Sequence, residues 1–275
     1  MPELPEVETV RQSLKLKVCG KIIEDVRVYW DGIIEYPDVK VFCSKIKKQR
    51  INDIDRYGKW LIFVLDDYYL LSHLRMEGKY FIKKSCDKVN KHEHVVFVLD
   101  DNNTLRYMDV RKFGKMHLID KDKIKTMGPL VDLGVEPWDK RLSVDYLRDK
   151  YKKKKLPIKS VLLDQSIIVG IGNIYADEIL FLSRINPLKR CCDLNDFELS
   201  NIIKYTKEEL GMAIKKGGTT IRSYSSVNGV HGLFQQELNV HTKAGSKCPV
   251  CGNIIIKTKV GGRGTYYCSK CQLID

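Results

Sequence analysis

The residues best suited to covalent chemistry stand at the start of the chain, where Pro2 and Glu3 follow the initiating methionine. Removal of Met1 would leave the Pro2 nitrogen as a secondary amine, a group that no internal residue supplies. An α-amino group titrates roughly two units below lysine, so more of it is unprotonated near neutral pH. Its attack on a sugar aldehyde gives an iminium cation, an electron sink for elimination, and Glu3 can exchange the proton. Proline and acidic residues also suit a helix start, so a purely structural interpretation stays open.

Four cysteines near the C-terminus indicate metal binding. Cys248 and Cys251 form one Cys-x-x-Cys pair, and Cys268 and Cys271 form a second pair after sixteen intervening residues. Two such pairs on two turns place four thiolates in a tetrahedron, the geometry of structural zinc. Four protein ligands leave no open position, so we expect one structural zinc that does not itself catalyse. The proline chemistry described above needs no catalytic cofactor. The remaining cysteines lack ligand-like spacing, and we expect them to be ordinary thiols.

The overall charge narrows the class of partner. The chain has 275 residues and a formal net charge of +13, which favours a polyanion: nucleic acid first, with an anionic membrane as the rival. No apolar run approaches the roughly 20 residues of a spanning helix, and the start lacks the pattern of a secretion signal. We therefore expect a cytoplasmic protein that binds no membrane. The length suffices for two domains.

Hydrophobic periodicity predicts the elements that must position these groups. Residues 5–18 follow a helical pattern, and from 21 to about 119 the pattern changes to short strands, typical of an antiparallel sandwich or barrel. Two predicted hairpins lie at residues 59–74 and 94–108. Further helices are predicted at residues 144–151, 158–164, 174–183 and 196–216. The tail from about residue 236 is strand-like.

The motifs stand in an order that resembles a known family. Residues 1–8 (MPELPEVE) and 165–181 (QSIIVGIGNIYADEILF) closely resemble bacterial formamidopyrimidine-DNA glycosylase, and the resemblance covers essentially the whole chain. Enzymes of that family remove oxidised purines from DNA and cut the strand. The resemblance implies an α+β fold: an N-terminal helix and an antiparallel β-sandwich, then a helical helix-two-turns-helix domain with a C-terminal zinc β-hairpin.

Composition suggests where these parts meet. Two glycines and two prolines interrupt the pattern between residues 128 and 137, which predicts a linker. The predicted parts are an N-terminal catalytic β-sandwich domain at 1–127, the linker at 128–137, the helical domain at 138–235 and the zinc finger at 236–275.

The resemblance assigns catalytic roles to four residues. In the family the N-terminal proline is the nucleophile and the next glutamate its partner acid, which correspond to Pro2 and Glu3. Lys59, in the sequence RYGKW, would contact the phosphate beside the reacting sugar and donate a proton. By itself, a lysine at a strand start is usually a solvated edge charge. Arg263 lies among glycines on the predicted hairpin tip, where the backbone can approach DNA closely.

Two segments would supply a wedge that fills the stack when a base is extruded. A wedge needs an apolar plug and a donor for the orphaned partner base. The family positions correspond to Met76 in HLRMEGK and to Arg111 and Phe113 in DVRKFG. Without the resemblance, Met76 would be interpreted as core filler and Phe113 as a buried aromatic.

Further residues would hold DNA or read the base. Asn173 follows a Gly-Ile-Gly turn that can bind a phosphate through main-chain N–H groups, although a plain turn is commoner. His92 and Lys154 rest only on matching positions that contact DNA in relatives. The complete DNA-binding set is His73, His92, Arg111, Lys154 and Asn173. The implied base-recognition loop, otherwise a flexible loop, comprises Thr219, Thr220, Ile221, Arg222, Ser223 and Tyr224.

The sequence thus predicts a monomeric base-excision-repair DNA glycosylase and abasic-site lyase. It would act on double-stranded DNA carrying an oxidised purine (8-oxoguanine or a formamidopyrimidine) or an abasic site, through a proline Schiff base and β,δ-elimination. One alternative is a sister enzyme for oxidised pyrimidines. The other is a non-catalytic zinc-ribbon DNA-binding protein, which leaves the Pro2–Glu3 start unexplained. Two positions depart from the family pattern: Val135 in the linker, and His241, which puts the packing beside the zinc hairpin in question.

Overall fold

The chain divides into two compact units. The computed structural model describes residues 1–219 and 234–274. One unit holds Met1–Asp132 together with residues 217–219, and the other holds Leu133–Lys216 together with residues 234–274. None of the helices in these described ranges combines the length and the apolar character that a bilayer crossing requires.

Two helices flank the strands of the first unit. Helix α1 (Leu4–Val18) has Pro5 in its first turn and buries Val7, Val10 and Leu14, as the periodicity predicts. Helix α2 (Val39–Ile46) begins at the Asp38 cap, whose carboxylate accepts two main-chain N–H groups at 3.1 Å each. The prediction of strands throughout 21–119 is wrong at α2. Its eight residues include β-branched valines, and so short a segment is ambiguous by periodicity.

Nine strands of the first unit form two sheets around one core. The first sheet has the order β1 (Ile23–Val28), β7 (Glu93–Leu99), β8 (Asn103–Met108) and β6 (Lys79–Lys84). The second has the order β2 (Ile34–Tyr36), β9 (Lys115–Asp120), β5 (Tyr68–His73), β4 (Trp60–Val64) and β3 (Asp53–Tyr57). All pairings are antiparallel except β2 with β9, which is parallel. Both predicted hairpins are confirmed.

The second unit is helical and ends in a β-hairpin. Its helices are α3 (Val144–Tyr151), α4 (Ile158–Leu162), α5 (Asn173–Leu182) and α6 (Asp196–Lys215). Strands β10 (Ile256–Val260) and β11 (Arg263–Tyr267) pair antiparallel. The predicted helices are confirmed to within two residues at each end. The α+β fold class, with an N-terminal helix, antiparallel sheets and a C-terminal cysteine hairpin, is confirmed.

Candidate active site

The first turn of α1 holds the N-terminal residues in a buried setting. Pro2 and Glu3 are both buried. The Glu3 main-chain N–H donates to Oε2 of Glu6 at 2.8 Å. The other oxygen of Glu6, Oε1, accepts the N–H of Thr219 at 2.7 Å and its hydroxyl at 3.0 Å. Thr219, the first residue of the predicted base-recognition loop, therefore lies at the start of α1. Residues 220–224 of that loop fall outside the described ranges.

His73 lies beside an aromatic ring, within electrostatic reach of Lys59. Strands β4 and β5 pair Trp60 directly with His73, and their rings meet edge to face with centroids 4.8 Å apart. Burial, together with the charges of Arg75 and Lys59, lowers the pKa of His73 to about 3. The N–H of Arg75 donates to Nδ1 of His73 at 2.9 Å, so the ring proton sits on Nε2. His73 is thus a neutral donor at physiological pH.

The turn at residues 109–114 is organised by the buried carboxylate of Asp109. Its oxygens accept the main-chain N–H groups of Arg111 at 3.0 Å, Phe113 at 2.9 Å and Gly114 at 2.8 Å. This arrangement directs two side chains outward: Arg111 is exposed, and Phe113 is 49% exposed. The Arg111 guanidinium carbon lies 4.7 Å from the Phe113 ring centroid. The turn therefore presents a donor and an apolar ring together.

The turn that carries Met76 lies next to this one. A Cβ atom on Gly78 would fall 2.2 Å from the Tyr107 hydroxyl oxygen, and one on Gly114 would fall 1.7 Å from it. Only glycine fits at either place, because the two turns close on the same hydroxyl. Met76 is 38% exposed. The three residues assigned to the wedge are therefore carried on adjacent turns.

His92 adjoins the 109–114 turn through its backbone. Its carbonyl accepts the N–H of Asp109 at 3.0 Å. The preceding loop is held by Arg106, which is buried and pairs with Glu93 at 2.9 Å. The same guanidinium donates to the carbonyls of residues 84, 87 and 88 at 2.8 to 3.1 Å. The sequence predictions missed Arg106 as a support for the loop before His92.

In the second unit, Asn173 and Arg263 are brought close by the β10–β11 turn. The side-chain amide of Asn173 donates to the carbonyl of Gly264 at 3.0 Å. A Cβ atom on Gly261 would lie 2.6 Å from the Ser160 hydroxyl, so the hairpin tip packs tightly near α4. Gly261 and Gly262 both have positive φ, at 55° and 76°. Arg263 is exposed on this tip.

A buried charged cluster supports Asn173. Asp177 accepts from the Lys159 ammonium through Oδ1 and from Nδ1 of His241, 2.6 Å away, through Oδ2. Lys159 also donates to the carbonyl of Asn173 at 3.2 Å. The His241 ring meets Tyr266 of β11 edge to face, with centroids 5.0 Å apart. His241, the departure from the family pattern, is therefore packed against the hairpin.

Lys154 has a different environment. It is half-buried, and its ammonium lies 3.4 Å from Oδ2 of Asp164. The carboxylate partly neutralises Lys154, which weakens any attraction that the lysine exerts on a phosphate.

The four cysteines of the two Cys-x-x-Cys pairs converge. All four sulfur atoms lie within 4.8 Å of one another, with Cys248 and Cys271 3.8 Å apart and Cys251 and Cys268 3.5 Å apart. Zn–S bonds of about 2.3 Å in a tetrahedron give sulfur separations of about 3.8 Å. The N–H of Asn253 lowers the pKa of the Cys251 thiol to about 7, which favours a thiolate ligand. The set fits one structural zinc.

Comparisons with known proteins account for nearly the whole chain. The formamidopyrimidine-DNA glycosylase N-terminal domain matches residues 1–116, and the H2TH domain of the same enzyme matches residues 133–225. A zinc finger found in FPG and IleRS matches residues 245–274. The chain belongs to the formamidopyrimidine-DNA glycosylase family. Its members are DNA glycosylases of base-excision repair, and this chain is one of them.

Individual relatives agree over the full length. The formamidopyrimidine-DNA glycosylase of Oceanobacillus iheyensis is 48% identical over 273 residues, which cover 99% of this chain and 98% of that protein. Lactococcus lactis Fpg in complex with DNA containing N7-benzyl-Fapy-dG superposes with a TM-score of 0.93 at 38% identity, covering 99% of this chain and 100% of that one. The complex of Lactococcus lactis Fpg with DNA containing an oxidised pyrimidine superposes with a TM-score of 0.91 at 38% identity, with the same coverage. These matches exclude a zinc ribbon without catalysis.

Several residues that organise this glycosylase site were not predicted. Glu6 stands three residues after Glu3, a spacing typical of helix capping, and Asp109 precedes the N–H groups it accepts, as in an Asx turn. These two had a local signal. Lys159 and Asp177 had none, because their contact joins residues 18 apart in sequence.

Proposed function

We propose that this glycosylase excises an oxidised purine with the Pro2 nitrogen as nucleophile. The amine would attack C1′, and the C1′–N9 electron pair would leave with the base, which takes up a proton. Opening of the sugar and loss of the amine proton would give an iminium between Pro2 and C1′. Abstraction of a C2′ proton would then expel the 3′ phosphate, and δ-elimination would expel the 5′ phosphate, leaving a gap with phosphate ends.

The observation that carries this proposal is the buried Pro2–Glu3 start at the first turn of α1, in a chain of this family. A buried carboxyl next to the amine is suited to proton exchange with the departing base, because few waters compete with it. With Met1 attached, the Pro2 nitrogen is a tertiary amide and has no nucleophilic lone pair. The active form would therefore begin at Pro2.

We extend the proposal to the other residues to which the family resemblance assigns a role. Lys59 and His73 would bind the phosphate beside the reacting sugar, Lys59 as a cation and proton donor and His73 as a neutral Nε2–H donor. Asn173 and Arg263 would bind the backbone from the second unit. Met76, Arg111 and Phe113 would fill the vacated stack, with Arg111 reading the base opposite the lesion. His92 and Lys154 would add DNA contacts, and residues 219–224 would read the base.

Oxidised purines are the proposed principal lesion class, and oxidised pyrimidines a second one. The Lactococcus lactis Fpg complex with an oxidised-pyrimidine DNA supports the second class at 38% identity. Single-turnover excision from matched duplexes carrying 8-oxoguanine or an oxidised pyrimidine tests this ranking. Faster excision of the purine is expected, and faster excision of the pyrimidine would reverse the assignment.

The setting of the reaction completes the proposal. The enzyme would act as a cytoplasmic monomer on double-stranded DNA, with parts at 1–127, 128–137, 138–235 and 236–275. Because the chain carries a net charge of +13, its binding to DNA should release counterions. The affinity for DNA should therefore fall steeply as the salt concentration rises. Light scattering of the free protein tests whether it is a monomer. Titration of the protein with DNA at several salt concentrations tests the salt dependence of the affinity.

Borohydride trapping combined with intact-mass analysis tests the nucleophile. Protein that begins at Pro2 should form a covalent adduct with an abasic-site duplex, and peptide mapping should find the adduct on Pro2. Protein that retains Met1 should bind lesion DNA without excision or trapping. Efficient trapping by the Met1-containing form would instead point to a lysine such as Lys59. Glu3→Gln should lose base excision while keeping cleavage of preformed abasic sites, where no base has to leave.

A further inference from the structure

One buried carboxylate in the first unit joins two parts of the proposed reaction. Glu6 is 3% exposed and accepts hydrogen bonds on both of its oxygens. Oε2 accepts the Glu3 N–H at 2.8 Å, and Oε1 accepts the Thr219 N–H at 2.7 Å and the Thr219 hydroxyl at 3.0 Å. These bonds join residues three apart on one side and 213 apart on the other.

The backbone before Thr219 is shaped for this contact. Gly217 and Gly218 have φ of +75° and +77°, a region that side chains rarely allow. A Cβ atom on Gly218 would lie 2.7 Å from Oε1 of Glu6 and 3.1 Å from its Cγ. The main chain therefore lies directly against the carboxyl group. A side chain at position 218 would displace that carboxyl group, in a backbone conformation that already favours glycine.

We propose that Glu6 is a positioning residue that fixes the start of the base-recognition segment, at Thr219, relative to the Pro2–Glu3 nucleophile. This inference rests on the proposed function. Excision of a damaged base needs the base to be held and attacked in one geometry, whereas cleavage of a preformed abasic site needs only the attack. Loosening the Thr219 side of Glu6 should therefore slow excision far more than abasic-site trapping.

A carboxylate is the group that this position requires. Three N–H or O–H donors point at its two oxygens, and a glutamine has only one acceptor oxygen. In Glu6→Gln the amide nitrogen would face a donor on one side, so either the Glu3 bond or the Thr219 bonds would be lost. Excision should then fall in either case, because it needs the Glu3 side and the Thr219 side to be held together.

The decisive variant places its change on the loop side of the contact. Gly218→Ala places a methyl group against Glu6, and Gly20→Ala is the matched control, with φ of +85° and nothing within 4 Å of the added Cβ. Single-turnover excision of 8-oxoguanine is divided by the borohydride trapping rate on an abasic duplex. This ratio should fall about tenfold in Gly218→Ala, the value of one charged hydrogen bond. It should stay at the wild-type value in Gly20→Ala.

A second variant tests the same link with less disturbance. Thr219→Val removes only the hydroxyl donor, so the ratio should fall by about three- to tenfold. In the double variant with Glu6→Ala, which leaves the Thr219 donors no side-chain acceptor at position 6, the Thr219 change should have little further effect on the ratio. Thermal unfolding of each variant identifies any that is not folded.

Two results would separate the inference from the function on which it rests. If folded Thr219→Val keeps the wild-type ratio, or its effect simply multiplies with that of Glu6→Ala, the positioning role is wrong. A general loss of stability would lower excision and trapping together, leaving the ratio unchanged, and would also reject it. If the wild-type protein forms no trapped adduct with abasic DNA, the proposed proline chemistry itself fails.

Discussion

Asp109 and Asp177 are both fully or almost fully buried carboxylates near proposed DNA contacts, but they have different kinds of partner. Asp109 accepts neutral main-chain N–H groups from its own turn, two to five residues away. Asp177 accepts from the Lys159 ammonium and the His241 ring, which lie 18 and 64 residues away. The first carboxylate shapes a local turn, and the second holds separate segments together.

The difference predicts how strongly the loss of each carboxylate destabilises its surroundings: the turn at residues 109–114 for Asp109, and the segments joined by Lys159 and His241 for Asp177. Main-chain N–H groups stay in place when a carboxylate is removed. A change at Asp109 therefore removes hydrogen bonds but leaves no unpaired charge. A buried ammonium without its counterion must be desolvated or neutralised, which costs more free energy. The second region also depends on the zinc hairpin, because Tyr266 of β11 packs on His241. The turn at residues 109–114 should therefore survive changes that disrupt the Asp177 cluster.

Loss of the zinc should have the largest effect and should be confined to the second region. Cys268→Ser removes one of four thiolates, and structural zinc contributes on the order of 10 kcal/mol to such small elements. We expect loss of zinc, disorder of β10–β11 and a large drop in DNA affinity. Metal analysis and DNA titration measure this.

The first unit should remain folded in the Cys268→Ser variant, as judged by near-UV circular dichroism of its aromatic core. Ser269→Ala is a matched control, because the adjacent exposed side chain is not a ligand. Full zinc content in Cys268→Ser would contradict the ligand assignment.

Exchange of the two carboxylates for amides compares the regions directly. Asp177→Asn leaves the Lys159 charge buried and should destabilise the protein by about 3–5 kcal/mol. Asp109→Asn keeps one acceptor oxygen and should cost about 1–3 kcal/mol. Chemical denaturation gives both values. Asp145→Asn, at an exposed ion pair, should cost less than about 1 kcal/mol. Equal losses for Asp109 and Asp177 would refute the distinction.

The two units should also respond oppositely to pH. Burial, with the charges of Glu178 and Glu237, raises the pKa of Glu209 on α6 from 4.5 to about 8. The folded chain then binds the extra proton, so this stability is lost as the pH rises from 4.5 through 8. For His73, whose folded pKa is about 3 instead of 6.5, the unfolded chain binds the extra proton. Stability is therefore lost as the pH falls from 6.5 towards 3.

Chemical denaturation at about pH 6 and about pH 9 measures the stability lost when Glu209 deprotonates. This loss should be a few kcal/mol, at roughly 1.4 kcal/mol per unit of pKa difference. Glu209→Gln should abolish this loss, whereas Glu208→Gln, at the neighbouring exposed carboxylate, should not. An unchanged alkaline slope in Glu209→Gln would locate the titrating group elsewhere.

The smallest effect concerns the turn at residues 109–114 alone. Arg111→Ala should reduce discrimination between bases opposite the lesion, by roughly 1–3 kcal/mol for a bidentate base contact. It should slow abasic-site cleavage less, because Asp109 holds the main chain of the turn and the Arg111 side chain is not needed for that. Excision rates with each of the opposite bases measure it, and Lys112→Ala is a control on the same turn. Unchanged discrimination would remove Arg111 from the wedge.

Much of the fold was predictable because its signals are local. The helix at α1, the two hairpins and the four helices of the second unit follow from patterns within a few residues. Helix α2 was missed because a segment of eight residues with β-branched side chains is too short for its pattern to separate a helix from a strand. The parallel pairing of β2 with β9 was also out of reach, since register between distant strands is set by packing.

By itself, the sequence determined the paired cysteines, whose spacing matches zinc geometry. It also singled out the Pro2–Glu3 pair on which the proposed chemistry depends. Only the tertiary structure decided what holds these residues in place. Glu6 joins Glu3 to Thr219 across 213 positions, and Asn173 reaches Gly264 across 91. Such contacts leave no local pattern, because a buried hydrogen bond constrains distance in space and not separation along the chain.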